Sequence, residues 1–164
     1  MNETIEDAEK LQDLLKGNRF TMFVTSDQAG QLRSRPMTTQ TITSIEDGLW
    51  FMALADSEVV SDIKLHADVI LNYADTGSDT YIGVTGKAHL HRDSGKVKEL
   101  WNPLLKAWFP GGPDDPSITL IHVRVERADY WEAPPAPVRV FQYLKAIATG
   151  EKAETGSHGT IEIA

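Results

Sequence analysis

The chain has 164 residues, with 16 Lys and Arg against 24 Asp and Glu and a formal net charge of -8. At 41% hydrophobic and 24% charged it is globular in composition and one domain is expected, so disorder throughout is excluded. The acidic balance speaks against nucleic acid as a partner, and the absence of cysteine excludes thiol chemistry, so redox work here requires a bound cofactor.

The N-terminus reads Met1-Asn-Glu-Thr-Ile-Glu-Asp7, acidic where a secretory signal is basic. The longest apolar run, Leu49 to Ala55, falls far short of the roughly 20 residues of a membrane span. A cytoplasmic protein with no membrane partner is the expectation.

A helix is predicted over about 4–16. Thr4 and Asp7 form an imperfect capping box, Ile5, Ala8, Leu11, Leu14 and Leu15 follow at helical spacing, and Gly17 ends it. The period then becomes two. Phe20, Met22 and Val24 alternate with Thr21 and Thr25 as far as the turn Asp27-Gln-Ala-Gly30. A polar strand carrying Pro36 runs from Leu32 to Ile42, and after Glu46-Asp-Gly48 an apolar one runs from Leu49 to Leu54. Connections this short predict an antiparallel meander of the three.

Ser57 is placed to cap a short helix through Val59, Val60, Ile63 and Leu65, and Asp68 to Tyr73 is the next strand. A long strand follows. Ile82, Val84, Gly86, Ala88 and Leu90 share one face, and Tyr81, Gly83, Thr85, Lys87 and His89 the other. Gly83 and Gly86 within it signal a bulge, a bend or the close approach of another backbone or a ligand.

Asp93 or Ser94 begins a helix predicted to continue through Val97, Leu100, Trp101, Leu104 and Leu105 to about Ala107. A turn-rich loop, Phe109 to Pro116, leads to a long strand from Ile118 to Tyr130. One more helix is predicted over Val138–Ala148, and Thr160 to Ile163 can pair as an edge strand. Roughly six antiparallel strands with small helices predict a mainly β fold, a closed or partly open barrel with peripheral helices. The barrel would span about 19–132 of a single domain over 1–164, with the C-terminal helix and tail at about 138–163.

Arg33-Ser-Arg-Pro-Met37 is the most informative stretch. Arg33 and Arg35 share a strand face, and two adjacent guanidiniums repel unless an anion or carboxylates compensate them. Pro36 restricts the strand to an edge or a bulge. Ser57 at a helix N-terminus is a second anion site by its backbone donors, although Glu58 competes and a plain N-cap is the commoner outcome.

Trp101 and Trp108, seven apart, are expected on one helical face against the body or a second subunit, while Trp50 and Trp131 are core or rim residues. His89 and His91 share a strand face but make a weak case for metal. No hydrolase elbow, zinc-protease, P-loop or dinucleotide motif is present.

Helix, Arg33-Ser-Arg-Pro-Met37, Leu49-Trp-Phe-Met52 and Asp56-Ser57 before a helix, in that order, resemble the pyridoxamine 5′-phosphate oxidase-like flavin-binding split barrels. The run Trp101 to Pro116, with Ala128-Asp-Tyr-Trp-Glu132 after it, is similar to the general stress protein 26 branch. The resemblance implies a homodimer of six-stranded split barrels with FMN at the subunit interface. By it, Arg33, Ser34, Arg35 and Pro36 line the flavin, Phe51 and Met52 run beside its ring and Ser57 contacts the phosphate. Trp101 and Trp108 would lie near the interface and reach the partner's flavin.

Ala53 and Val59 depart from the Thr and Lys common in the family, which leaves FMN, FAD or no flavin open. The expected function is an FMN-dependent oxidoreductase or flavin carrier of the general stress type, with a small-molecule electron donor or acceptor and no catalytic residue identified. The alternatives are a cofactor-free dimer acting as a binding module and, less favoured, an enzyme on phosphorylated B6-type substrates, because Ser157 to Ile163 carries no Arg-rich motif.

Overall fold

A computed structural model of the chain describes residues 2–154 and 156–163, with side chains from Glu6 onward. The first helix, α1 (Asn2–Leu15), begins ahead of the expected cap. The side chains of Thr4 and Ile5 lie outside the described residues. Leu11 and Leu15 are buried and fix the helix to the barrel.

Strands β1 (Phe20–Ser26) and β2 (Leu32–Thr38) form a hairpin closed by the Asp27–Gly30 turn. Their facing differs from the predicted one. Thr21, Phe23 and Thr25 point inward, while Phe20 is 69% and Met22 43% exposed. Phe23 decides the matter, packing edge-on against Phe51 with ring centroids 5.1 Å apart. The two threonines follow it inside because Thr21 Oγ1 donates to the Asn72 carbonyl (3.0 Å) and Thr25 Oγ1 to Asp62 (2.6 Å).

The third strand, β3 (Leu49–Leu54), does not extend the hairpin. It pairs instead with β6 (Ile118–Glu132). With β4 (Asp68–Asp75) and β5 (Thr80–His91) the sheet runs β2-β1-β4-β5-β6-β3, every observed pair antiparallel. A seventh strand, β7 (Ser157–Glu162), makes one more than the expected six; it pairs with β6 between Arg127 and Glu132, beyond the stretch that carries β3. The two ends of the sheet, β2 and β3, approach each other, and the Gln40 amide donates to the Trp50 carbonyl at 2.8 Å across the gap. This is a split barrel.

The predicted irregularity at Gly86 is present. Thr85 pairs with Arg127 and Gly86 with Val125, so Glu126 is passed over as a β-bulge. Inside the barrel, Phe23, Leu49, Phe51, Ala53, Val84 and Ile121 belong to the main core. Helix α2 (Glu58–Leu65) adds Val59, Val60 and Ile63 to it.

A second cluster lies on the other side of β3 and β6. Met52, Ile118 and Leu120 meet Val97, Leu100, Leu105 and Phe109 there. Helix α3 (Ser94–Leu100), capped by the Asp93 side chain on the Lys96 amide, stops short of the predicted Ala107. Pro103 is the reason, because the residue before a proline is driven out of helical geometry. Asn102 is extended, and a separate 3₁₀ turn runs from Pro103 to Ala107. Helix α4 (Ala136–Thr149) closes the set, with none of its residues buried. Among the described residues no helix is long and apolar enough to cross a membrane.

Candidate functional site at the split of the barrel

β2 is an edge strand, as Pro36 requires, and its residues divide between two faces. Arg33, Arg35 and Met37 lie over Thr25, Phe23 and Thr21 on the inner side, whereas Ser34 and Pro36 lie over Val24 and Met22 on the outer side. The expected flavin-lining quartet is therefore not one surface.

Each guanidinium has its own carboxylate. Arg35 donates from Nη2 to Asp62 Oδ2 (3.1 Å) and from Nη1 to Thr25 Oγ1 (2.5 Å), and Thr25 donates to the same Asp62 oxygen. This triangle ties β2 to α2. Arg33 donates from Nε to Asp27 Oδ2 at 3.1 Å. The Asp27 carboxyl is held below its usual range first by the Gln31 amide, with Arg33 and the Ala29 amide adding to the effect. The two Nη groups of Arg33 have no partner among the described residues, which leaves that fork available to an anion.

Ser57 sits at the N-cap of α2 but does not cap it. Its Oγ donates to the Leu54 carbonyl at 2.6 Å instead. The first-turn amides of α2 are left without a side-chain acceptor, the condition under which a helix start attracts an anion. Glu58 in the first turn satisfies the dipole in part.

Phe51 and Met52 take opposite sides of β3. The Phe51 side chain is in the main core and Met52 in the second cluster, so neither ring nor thioether faces the split. The backbone does. The Trp50 carbonyl points away from β6 to Gln40, and by strand alternation the Met52 amide and carbonyl lie on the same free edge. Close by, Gln40 is buried and its Oε1 has no hydrogen-bond partner. An orphaned acceptor, an open Arg33 fork, uncapped amides and an unpaired strand edge suit a planar, phosphate-bearing ligand with its own N–H donors.

Ala53 and Val59 are buried in the main core, so the missing Thr and Lys are replaced by packing. Trp101 caps the end of α3 and packs against the second cluster, while Trp108 is 64% exposed. The break at Asn102-Pro103 separates them, and the shared helical face expected for them is absent. Sequence reasoning missed Thr25, Asp62 and Gln40. It also missed the stack of Trp50 on His122, with centroids 4.4 Å apart and His91 beside both. Among the described residues no group of three or more His, Asp or Glu could hold a metal ion.

The profile of the family described as "Pyridoxamine 5'-phosphate oxidase like" matches residues 6–154. Protein bli-3 of Neurospora crassa is 30% identical over 134 residues, which cover 74% of this chain and 64% of that protein's length. A crystal structure described as the general stress FMN/FAD binding protein of Xanthomonas citri is 29% identical, with a TM-score of 0.67 over 79% of this chain and 90% of that one. A general stress protein 26 structure from Jannaschia sp. shares the fold with a TM-score of 0.76 over 99% of both chains, at 22% identity.

Proposed function

The chain belongs to the pyridoxamine 5′-phosphate oxidase-like family, and from that premise we propose that it binds FMN at the split between β2 and β3. The observation that carries this reading is the set of unused donors there: the Arg33 fork and the α2 amides that Ser57 leaves uncapped. Arg33 and these amides would hold the phosphate, the β3 edge at Met52 would meet the ring, and Ser34 and Pro36 would flank it. Arg35 acts through Asp62, setting α2 against β2.

A bound flavin supplies reversible two-electron transfer, which a chain without cysteine cannot provide by itself. An oxidoreductase or flavin carrier of the general stress type, working with a small-molecule electron donor or acceptor, is the matching role. The name of the Xanthomonas citri protein supports flavin and covers both FMN and FAD.

The test is the absorbance of the freshly purified protein, followed by FMN fluorescence quenching. Saturable quenching is expected, and Arg33→Gln should weaken it by about tenfold, the effect of losing one charge-assisted contact. Colourless protein without quenching at saturating FMN would overturn the reading. A second reading has its own support. Arg33 and Arg35 both already have carboxylate partners, and Ala53 and Val59 are core residues. That combination favours a cofactor-free dimer serving as a binding module, and the same spectrum decides between the two.

A further inference from the structure

Repulsion between cations gathered on one surface, the reasoning first applied to Arg33 and Arg35, applies with more force elsewhere. At one end of the barrel a cavity of about 100 Å³ lies between α2, the end of β5 and the start of β6. Its polar lining is Lys64, His91, Arg92 and Thr119, with Val60 and Leu90 among its apolar walls and no carboxylate in the lining. None of the ion pairs among the described residues involves Lys64 or Arg92. In a chain of net charge -8, two fixed cations and an imidazole around an acid-free cleft is an unusual placement.

Thr119 adds an independent observation. It is 4% exposed and lies opposite Ala53 on β6. The other buried threonines, Thr21, Thr25 and Thr39, each form a side-chain hydrogen bond. Thr119 forms none among the described residues, and it lines the cleft. The Thr119 hydroxyl is not sealed off: it reaches the open cleft, where an arriving acceptor can take the place of water.

We infer that this cleft binds a phosphate-sized oxyanion, held by the Lys64 ammonium, the Arg92 guanidinium, the His91 ring and the Thr119 hydroxyl. Its volume is well below the roughly 300–1,000 Å³ of pockets for drug-sized ligands, so a nucleotide or a flavin is too large. The ligand is inorganic phosphate or the phosphate end of a small monoester. Lys64 in the last turn of α2 also complements the helix dipole. That role leaves the position of Arg92 unexplained. The cleft meets the flavin site proposed at the split only at Val60, whose amide belongs to the first turn of α2 and whose side chain lines the cleft.

The experiment is isothermal titration of the full chain, in phosphate-free buffer at constant ionic strength, with inorganic phosphate and separately with glycerol 3-phosphate. Saturable binding of at least one is expected. A Lys64→Gln, Arg92→Gln double variant should bind about tenfold more weakly or worse, while Lys106→Gln, outside the cleft, should match wild type. Thr119→Val should weaken binding with an unchanged circular dichroism spectrum. If it fails to fold, the double variant, changed only at exposed side chains, still decides. Uptake of both ligands marks a monoester's phosphate and uptake of inorganic phosphate alone the free ion. Flavin absorbance unchanged in the double variant separates this cleft from the split. No saturable binding of either ligand by wild type, or undiminished binding by the double variant, overturns the proposal.

Discussion

Arg35 is the residue through which the edge strand β2 grips helix α2. Its partner Asp62 is buried and accepts from Arg35 and Thr25 on one oxygen, so removing the guanidinium leaves a carboxylate with a single neutral donor. Breaking a buried pair costs about 3–5 kcal/mol, and about 2 kcal/mol remains after discounting for the water that still reaches Arg35. Arg35→Gln should therefore lower the urea midpoint clearly, whereas Arg33→Gln, at a more exposed pair, should shift it little; equal shifts would contradict the assignment. His122 offers a second test at this scale. Burial lowers its pKa below the ordinary imidazole value, and repulsion from His91, His89 and Lys96 acts in the same direction, against the hydrogen bond with the Asp47 carbonyl. The unfolded chain then takes up the proton first as pH falls, so this contribution to stability is complete above about pH 6.5 and is lost below it. Melting temperatures between about pH 5 and 7 should fall more steeply with acid for wild type than for His122→Gln.

At the scale of elements, β5 carries two glycines with opposite requirements. A Cβ on Gly86 would lie 2.2 Å from the Arg124 carbonyl oxygen, whereas one on Gly83 would meet its nearest atom, Asn72 Oδ1, at an ordinary 3.6 Å. Gly86→Ala must push β5 and β6 apart at the bulge, at about 2–3 kcal/mol. Gly83→Ala should instead be neutral or gain about 0.5 kcal/mol from reduced chain entropy in the unfolded state. Equal midpoints for the two variants in chemical denaturation would remove the close approach as the cause. This irregularity was legible in the sequence because a glycine in the inward row of a strand has nothing to pack. The end of α3 was also legible in Pro103, but the spacing of Leu100, Leu104 and Leu105 outweighed it. The facing of β1 was not, since both rows hold apolar residues and only the partners of Thr21 and Thr25 decide. The shared face of Arg33 and Arg35 follows from strand period alone. Their carboxylates do not, because Asp62 is 27 residues from Arg35 and reaches it through the placement of a helix. The pairing of β3 with β6 is likewise a long-range choice that no local pattern encodes.

For the molecule as a whole, α4 is amphipathic in the wrong sense for a free surface. Arg139, Gln142 and Ala146 form its less exposed row, and Arg139 pairs with Asp79 of the body. Val138, Val140, Phe141, Leu144 and Ile147 are exposed. The same chain exposes a second apolar face on the outer side of the sheet, with Phe20, Met22, Leu32, Ile70 and Tyr81. Patches of this extent are rare on monomers, and two of them on one chain suit a two-fold pair in which each α4 lies on the other copy's sheet. Charge agrees with that arrangement. α4 carries Arg139 and Lys145 and no acid, while the chain as a whole is strongly acidic. Light scattering at micromolar concentration should thus give the mass of a dimer. Phe141→Glu with Leu144→Glu should give a monomer whose far-ultraviolet spectrum is unchanged, because α4 buries none of its residues in its own body. Where the flavin of the split also touches the second copy, as the family resemblance implies, the monomeric variant should lose FMN on gel filtration while Lys64→Gln, Arg92→Gln keeps it. A wild-type monomer, or a doubly substituted chain that remains dimeric, would remove α4 from the interface.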